Sequence, residues 1–448
     1  MKRREKGMQE GYLPMTWLEE HMLKNDAFPA SMHASPTCYV INSAVYFRDG
    51  LPDAKALEEL LENRVDIKDH LLRYDPVADS QALDDKINEV LPRLVWVKWA
   101  RSISENRVSE IISIPLDLNK PLWEVHMVPV RRGSDCIIFR THHSMADGLS
   151  LVTAYQSLAT DANGMPAKVV PGKAAPPQTK MTFTRFILMA VDSVRSALHI
   201  LYTVFQPLES SFSFNTPIEH RAGDMRWSGS RRAVLFKPFS LEYVRAITKK
   251  TPKKTTINDV LLSATVGAIK AYSGNTVDST TTMRTLLALG FPANLPNRPP
   301  TDRLTNSFSI NACDLAKAMR ASDPVSRVLA TSRAMGRLKR SMEAVVEFWL
   351  MNVLFPLLPV QIYEHIAKKY FAKHTMLFSN VPGPKNGLFL AGKEVTGVQG
   401  IFLDAIPEVY YNITLDPEVV KDWDKFEQLF REELLSLGRA VGIADDDL

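Results

Sequence analysis

Short β-branched runs alternate with helical patterns on both sides of one segment that has neither period. That segment, residues 162–180, is rich in proline, glycine, alanine and lysine, which is typical of a linker. A chain of 448 residues is longer than one hydrophobic core usually organises. We therefore predict the α/β fold class in the form of two α+β sandwiches, an N-terminal domain of residues 1–161 and a C-terminal domain of residues 181–448.

The clearest local prediction is a hairpin of strands 123–130 and 135–141, whose second strand leads directly into His142. A turn at residues 131–134 joins the two strands. Helical patterns in the second half cover residues 257–272, 323–344 and 423–437. Both halves therefore mix strands with helices.

Composition and charge exclude several classes of protein. An apolar fraction of 45% and a charged fraction of 23% are those of a globular protein. The net charge of +4 is spread along the chain, which disfavours a nucleic-acid partner. The three cysteines, Cys38, Cys136 and Cys313, show no paired spacing, so we expect a reducing compartment. Residues 1–26 do not form a secretory signal pattern.

Two segments, residues 183–205 and 345–363, are unusually apolar. Charged residues interrupt the first and two prolines break the second, so neither is predicted to span a bilayer. Two interpretations stay open for each segment. The segment is either an interfacial helix with one face in the headgroup region of a membrane, or a buried helix of a large core.

The residues best suited to chemistry follow the predicted strand 135–141: His142, His143, Asp147 and Gly148. A neutral imidazole is suited to removing a proton from a hydroxyl group. Two histidines and an aspartate also match a zinc or iron site, and a buried hydrogen-bonded pair is a third reading. Asp147 precedes a helical pattern, which makes it a candidate N-cap. Because no further ligand cluster accompanies the loop, chemistry without a metal is the simpler prediction.

The same loop lacks the companions of a covalent mechanism. No G-x-S-x-G elbow, P-loop or adjacent cysteine occurs with it, so no nucleophile for an acyl-enzyme is evident. We therefore favour direct transfer of a group to an acceptor.

The run at residues 142–148 resembles the HHxxxDG motif of the wax ester synthase/diacylglycerol acyltransferases, within the CoA-dependent acyltransferase superfamily. Other stretches resemble further motifs of this family in the same order, with Leu71 in place of the usual proline and Thr305-Asn306 where Gly-Asn is frequent. These stretches are His70-Leu71-Leu72-Arg73 (HPxLR), Pro121-Leu122-Trp123-Glu124 (PLW), Asn258-Asp259 (ND) and Ser379-Asn380-Val381-Pro382-Gly383-Pro384 (SNVPGP).

The resemblance implies two chloramphenicol-acetyltransferase-like domains with the active site in a tunnel between them. It also implies that a fatty acyl group passes from acyl-CoA to a long-chain alcohol or to diacylglycerol, giving wax ester or triacylglycerol. Acyl-CoA is then a substrate, and no cofactor is expected. Two alternatives stay open: an acyltransferase for a small or carrier-bound hydroxyl acceptor, and a catalytically idle lipid-binding or lipid-droplet scaffold.

The resemblance also assigns roles to single residues. His143 is the expected general base and His142 its support, while Asp147 pairs with Arg73 to shape the loop that ends at Gly148. Asn258 is the leading candidate for the oxyanion donor, with an N-cap role or a polar contact at the start of a helix as the alternative. Ser379 and Asn380 are expected to shape the site.

Two expectations concern the protein's surroundings. A basic patch at Lys249, Lys250, Lys253 and Lys254 is either a binding site for CoA phosphates or anionic headgroups, or a solvated charge run. We expect the protein on the cytoplasmic side, peripherally bound to the endoplasmic reticulum, the plasma membrane or lipid droplets.

Overall fold

The computed structural model describes residues 22, 40–62, 98–99, 105–116, 122–128, 135–167, 183–206, 231–274, 277–290, 306–371, 373–380, 387–399, 408–409, 411–417 and 420–445. The chain divides into two compact units. Unit 1 comprises Met1–Ala174, Pro292–Ser307 and Val381–Ile406. Unit 2 comprises Ala175–Phe291, Phe308–Asn380 and Pro407–Leu448.

Strands and helices alternate along the described chain. The strands are β1 Val40–Phe47, β2 Lys98–Trp99, β3 Trp123–Val128, β4 Cys136–His142, β5 Arg232–Leu235, β6 Phe239–Ser240, β7 Arg284–Gly290, β8 Phe308–Asp314, β9 Met376–Phe378, β10 Leu388–Leu390, β11 Lys393–Gln399, β12 Glu408–Val409 and β13 Asn412–Leu415. The helices are α1 Ala54–Glu62, α2 Glu105–Ser113, α3 Gly148–Leu158, α4 Phe183–Phe205, α5 Leu241–Lys250, α6 Ile257–Tyr272, α7 Ala316–Met319, α8 Pro324–Arg340, α9 Glu343–Trp349, α10 Val360–Phe371 and α11 Lys425–Ala440.

Unit 1 is built on a six-stranded sheet of order β10-β11-β1-β4-β3-β2. The predicted hairpin is present, because β3 pairs antiparallel with β4. Every residue of β4 is buried, as expected for a central strand covered on both faces. Helices α1 and α3 pack on this sheet through a cluster that includes Leu57, Val152, Phe139 and Val395. Strand β4 therefore delivers His142 from the middle of the sheet.

Each unit is assembled from three separate segments of the chain. This corrects the prediction that residues 181–448 form one continuous C-terminal domain. Strand β11 lies in the second half of the chain but pairs with β1 in register Ala44↔Gln399, inside unit 1. Asn306 and Ser307 also belong to unit 1. Backbone pairing reaches any strand whose edge is available, so sequence order does not limit it. The chain first crosses from unit 1 to unit 2 after Ala174, within the segment predicted as a linker.

Unit 2 combines a three-stranded sheet, β8-β7-β9, with helices around α6. Helix α6 begins with a capping box in which the Thr256 hydroxyl accepts the Asp259 N–H and Asp259 Oδ2 accepts the Thr256 N–H. Its residues from Asp259 to Ile269 are all buried. A helix that is apolar on every side belongs in the interior of a domain. The predicted helix at residues 257–272 agrees with the observed one.

The long helix predicted at residues 323–344 is present over Pro324–Arg340, but its continuation to residue 344 is wrong. Helix α8 ends at Arg340, and Ser341 is extended at φ −84° and ψ 166°. The next backbone N–H, of Met342, donates to Asp192 Oδ2 of α4 at 2.9 Å. A tertiary hydrogen bond thus replaces the helical one, and α9 starts afresh at Glu343.

Both apolar segments lie in unit 2, and the first is not a core helix. Within α4, Phe183 is 79% and Phe205 73% exposed, and further apolar side chains recur between them on the solvent side. The second segment forms α9, a π-helical turn at Leu350–Leu354, a 3₁₀ turn at Phe355–Leu357 and the start of α10. Helices α9 and α10 contact α4. We call the exposed apolar side chains of these helices and turns the apolar face.

The close packing of α11 on α5 gives a test of unit 2. A Cβ at Gly438 would overlap the hydroxyl oxygen of Tyr243, whose side chain is buried. We expect Gly438→Ala to lower the free energy of unfolding by about 1–3 kcal/mol, as over-packing does. Urea unfolding followed by circular dichroism measures this change. The matched control is Gly387→Ala, where a Cβ meets nothing within 4 Å; equal losses in the two variants would contradict the packing described.

Candidate functional site

The loop at residues 142–148 connects β4 to α3 and is held close to the sheet. The backbone N–H of His142 donates to the carbonyl of Leu122 at 2.8 Å, which ties the loop to the PLW stretch. The N–H of Met145 donates to the carbonyl of His142 at 3.0 Å. Met145 and Ala146 are buried against Leu122 in a small apolar cluster. The loop is therefore an ordered, desolvated turn, and its polar groups must find partners within the protein.

His143 is half-buried and contacts a residue far away in sequence. Its Nδ1 atom lies 2.9 Å from Asn306 Oδ1, and its carbonyl accepts from Asn306 Nδ2 at 2.8 Å. Desolvation lowers the pKa of His143, and hydrogen bonding at its own backbone, the charge of Asp147 and Asn306 oppose this in part. The lowered pKa keeps the imidazole neutral at physiological pH, as a proton acceptor must be.

His142 is fully buried beneath the loop. Its Nδ1 atom lies 2.6 Å from the Ser144 hydroxyl and accepts the backbone N–H of Ser144 at 3.2 Å. A nitrogen that accepts a backbone N–H carries the lone pair, so the neutral ring has its proton on Nε2. This agrees with a supporting role and places the two histidine rings in different hydrogen-bonding surroundings.

Asp147 has two structural tasks. Its Oδ1 accepts the N–H of Ser150 at 2.8 Å and caps α3, which begins at Gly148. Its Oδ2 accepts the N–H of Ser307 at 2.8 Å. The N-cap reading is correct, and the carboxylate also fixes the segment that carries Asn306. The predicted partner, Arg73, lies outside the described residues, so that pairing stays a prediction.

A buried ion pair lies under the loop, and the sequence analysis missed it. Arg140, two residues before His142, is fully buried and donates to Glu124, to the Ile114 carbonyl and, at 3.2 Å, to Asn42 Oδ1. A buried charge is tolerated when it is paired and hydrogen-bonded in this way. Arg140 thus connects β4 with β1 and β3 at the end that leads to the loop. The only sequence signal was an arginine inside an apolar strand.

The residues predicted from the ND and SNVPGP stretches meet in unit 2. Asn380 Nδ2 donates to Asn258 Oδ1, across 122 residues of sequence. Of the alternative for Asn258, the N-cap is wrong, because Thr256 caps α6, while a polar contact in the first turn of the helix is present. Ser379 precedes Asn380 and is exposed. Asn258 and Asn380 thus form a pair, and they belong to a different unit from the histidine loop.

The basic patch is exposed to solvent, with all four lysines on the surface. Lys249 and Lys250 occupy the last turn of α5, where positive charge favours the helix dipole. Lys250 donates to the carbonyl of Gly442. Lys253 and Lys254 follow the helix. The helix dipole and the Gly442 contact therefore explain Lys249 and Lys250 without a bound ligand.

Trp123, Cys136 and Cys313 are packed within their own units. Trp123 is half-buried and packs against the core of unit 1, as a tryptophan on a strand usually does. Cys136 and Cys313 are free, buried thiols, and burial raises the pKa of each to about 12. Among the residues that the structure describes, no three His, Cys, Asp or Glu side chains form a group that could hold a metal ion.

Solved structures share this fold over nearly the whole chain. A wax ester synthase/diacylglycerol acyltransferase from Marinobacter aquaeolei VT8 superposes with a TM-score of 0.58 at 15% identity, over 96% of this chain and 100% of that chain. Trichothecene 15-O-acetyltransferase from Fusarium sporotrichioides superposes with a TM-score of 0.59 at 12% identity, over 95% of this chain and 94% of that chain. The predicted fold class, with two chloramphenicol-acetyltransferase-like domains, is confirmed.

Sequence comparison identifies the family. The wax ester synthase/diacylglycerol acyltransferase catalytic domain matches residues 104–261, and the WS/DGAT C-terminal domain matches residues 304–405. Wax ester synthase/diacylglycerol acyltransferase 5 of Arabidopsis thaliana is 26% identical over 389 residues, covering 74% of this chain and 74% of the relative. This chain belongs to the wax ester synthase/diacylglycerol acyltransferase family and is an acyltransferase.

The second contact of Asp147 can be separated from its role as a cap. Asp323 caps α8 in unit 2 in the same way, with its Oδ1 accepting the Ser326 N–H at 2.8 Å, and serves as the matched control. Asp323→Ala should cost about 1 kcal/mol in the free energy of unfolding, and Asp147→Ala should cost more, because it also leaves the buried Ser307 N–H without its acceptor.

Asp147→Ala should in addition slow acyl transfer by at least about tenfold, because it releases the segment that holds His143. Asp323→Ala should leave the rate unchanged. Urea unfolding and a thiol assay for released CoA measure the two quantities. Full activity in a folded Asp147→Ala protein would show that the loop does not need this carboxylate.

Proposed function

We propose that this acyltransferase transfers a fatty acyl group from acyl-CoA to the hydroxyl of a long-chain alcohol or of diacylglycerol, with His143 as general base. The observation that supports this most directly is the hydrogen bonding of His143: Nδ1 contacts Asn306, and the neutral ring is favoured by desolvation. The family to which the chain belongs, and its wax ester synthase/diacylglycerol acyltransferase relatives, support these classes of donor and acceptor.

The proposed reaction is a single displacement. His143 removes the proton from the acceptor hydroxyl as the oxygen attacks the thioester carbonyl, giving a tetrahedral intermediate. The carbon–sulfur bond then breaks, and the imidazolium returns the proton to the departing thiolate. The products are an ester and CoA, with no cofactor and no acyl-enzyme. A positioned base of this kind contributes about a hundred- to ten-thousand-fold in rate.

Asn258 is our proposed oxyanion donor. Because its Oδ1 accepts from Asn380 Nδ2, its own Nδ2 is the end of the amide that donates. Asn380 thereby orients the amide, which gives the SNVPGP stretch a definite role. A preorganised donor of this type stabilises the transition state by roughly 3 kcal/mol. We further propose that Lys253 and Lys254 contact the phosphates of CoA.

The test uses labelled palmitoyl-CoA with hexadecanol, diacylglycerol and a small alcohol in parallel. We expect labelled ester with at least one of the first two acceptors, and a loss of at least about a hundredfold in His143→Ala. CoA release that gives ester with the small alcohol alone would favour the alternative acceptor class. Failure to release CoA with any acceptor would favour the scaffold alternative. A folded His143→Ala protein with most of its rate would rule out this base.

We also propose that the apolar face docks on the cytoplasmic side of the endoplasmic reticulum or plasma membrane, or on lipid droplets. By length and composition, residues Phe186–Phe205 of α4 meet the criteria for a membrane span, alone among the described helices. Asp192, which holds Met342, ties α4 to the rest of unit 2, and Arg195 is exposed on it. We therefore favour an interfacial position over insertion. The buried free thiols fit a reducing compartment.

Lipid docking predicts that exposed apolar side chains of α4 control vesicle binding. We expect the double change Phe186→Ser and Leu198→Ser to weaken binding to phosphatidylcholine/phosphatidylserine vesicles by at least about tenfold. A tenfold change is about 1.4 kcal/mol, and full burial of one such side chain contributes roughly 1.5–3 kcal/mol. Co-sedimentation measures the binding.

The matched control is Ile114→Ser with Met165→Ser, two exposed apolar residues of unit 1. This control should bind as the unmodified protein does. Equal binding of both double variants would contradict docking through α4.

A further inference from the structure

Asn306 contacts the histidine loop with both ends of its side-chain amide. Its Oδ1 lies 2.9 Å from His143 Nδ1, while its Nδ2 donates to the carbonyl of His143 at 2.8 Å and to that of Ser144 at 3.3 Å. The neighbouring residue, Ser307, donates its backbone N–H to Asp147 at 2.8 Å. Two consecutive residues therefore hold both ends of the loop.

These contacts determine which nitrogen of His143 carries the proton. Carbonyl oxygens only accept, so the end of the amide that faces the His143 and Ser144 carbonyls has to be the NH₂ group. The opposite end, which faces His143 Nδ1, is then the oxygen and also only accepts. His143 Nδ1 must therefore be protonated, and the neutral ring carries its lone pair on Nε2.

We propose that Asn306 is a positioning residue for acyl transfer, which holds His143 in the Nδ1-protonated tautomer and fixes the ring through the loop carbonyls. The inference rests on the proposed role of His143 as general base. A histidine in the other tautomer would present an N–H to the acceptor hydroxyl at Nε2 and could not remove its proton. In a serine protease, loss of the carboxylate that sets the histidine tautomer lowers kcat by about ten-thousand-fold.

The position of Asn306 in the chain strengthens this role. Ser307 is the last residue of this segment in unit 1, and β8 begins at the next residue. The backbone N–H of Ser307, directly after Asn306, is held by the Asp147 carboxylate of the same unit. An amide carried on such a support loses little further entropy when it orients a ring.

Two variants separate positioning from simple structural support. Asn306→Ala removes both contacts, and we expect kcat to fall about ten- to a hundredfold, with the KM for palmitoyl-CoA within about twofold of the original. Asn306→Asp keeps an acceptor beside Nδ1 but makes it negative, which favours imidazolium. Its acid limb in the pH–kcat profile should therefore move to higher pH.

The sign of the pH effect follows from the pKa of His143. Desolvation lowers this pKa below 6.5, so activity of the original protein should persist at pH 6.5 and decline only in more acidic buffer. The carboxylate in Asn306→Asp raises the pKa, and the decline should begin at higher pH. Nitrogen chemical shifts of ¹⁵N-histidine protein, with His143→Ala used for assignment, should report Nδ1 protonation in the original protein.

Asn42→Ala is the matched control, since Asn42 is a half-buried asparagine of unit 1 that contacts Arg140 and the Val40 carbonyl. It should lower stability without moving the acid limb. An unchanged acid limb in Asn306→Asp, or Nε2 protonation of His143 in the original protein, would overturn the proposal for Asn306. Retained activity in His143→Ala would instead overturn the base itself, so the two failures are distinguishable.

Discussion

Satisfying the hydrogen bonds of a buried loop is the constraint on which the candidate site depends. The loop at residues 142–148 lies mostly out of solvent, so each polar group must find a partner in the protein. The partners come from Leu122, Asn306 and Ser307, and the buried Arg140 secures the strand that precedes the loop. An unsatisfied buried group costs about 1–3 kcal/mol, so the loop holds its shape only while these partners remain.

This constraint also explains why unit 1 recruits residues from the second half of the chain. Strand β11 completes the sheet beside β1, and Asn306 and Ser307 complete the loop between β4 and α3. Neighbours in sequence do not supply all the hydrogen-bond partners of the β1 edge or of the Asp147 carboxylate. Each unit of this chain thus combines segments from distant parts of the sequence, and the histidine loop depends on residues about 160 positions away in the chain.

Much of the local structure was predictable because its causes are local. The β3–β4 hairpin, the buried helix α6 and the cap at Asp147 follow from side-chain period and capping residues. One prediction failed where a distant group intervened: Asp192 ends the helix that the sequence continues past Arg340. The cap considered for Asn258 failed locally, because the capping box of Thr256 and Asp259 starts the helix earlier. The exposure of α4 was also beyond the sequence, because an apolar stripe fits a core and an interface equally well.

The sequence alone determined the family resemblance, the mixed strand and helix content, and the location of the histidine loop at the end of a buried strand. These follow from residue types and spacings, which act over a few neighbours. Only the tertiary structure decided that Asn306 contacts His143, that the Ser307 N–H donates to Asp147, and that Asn380 donates to Asn258. Each of these contacts joins residues more than a hundred positions apart. Hydrogen bonds act over about 3 Å in space, and no local pattern specifies which distant group arrives there.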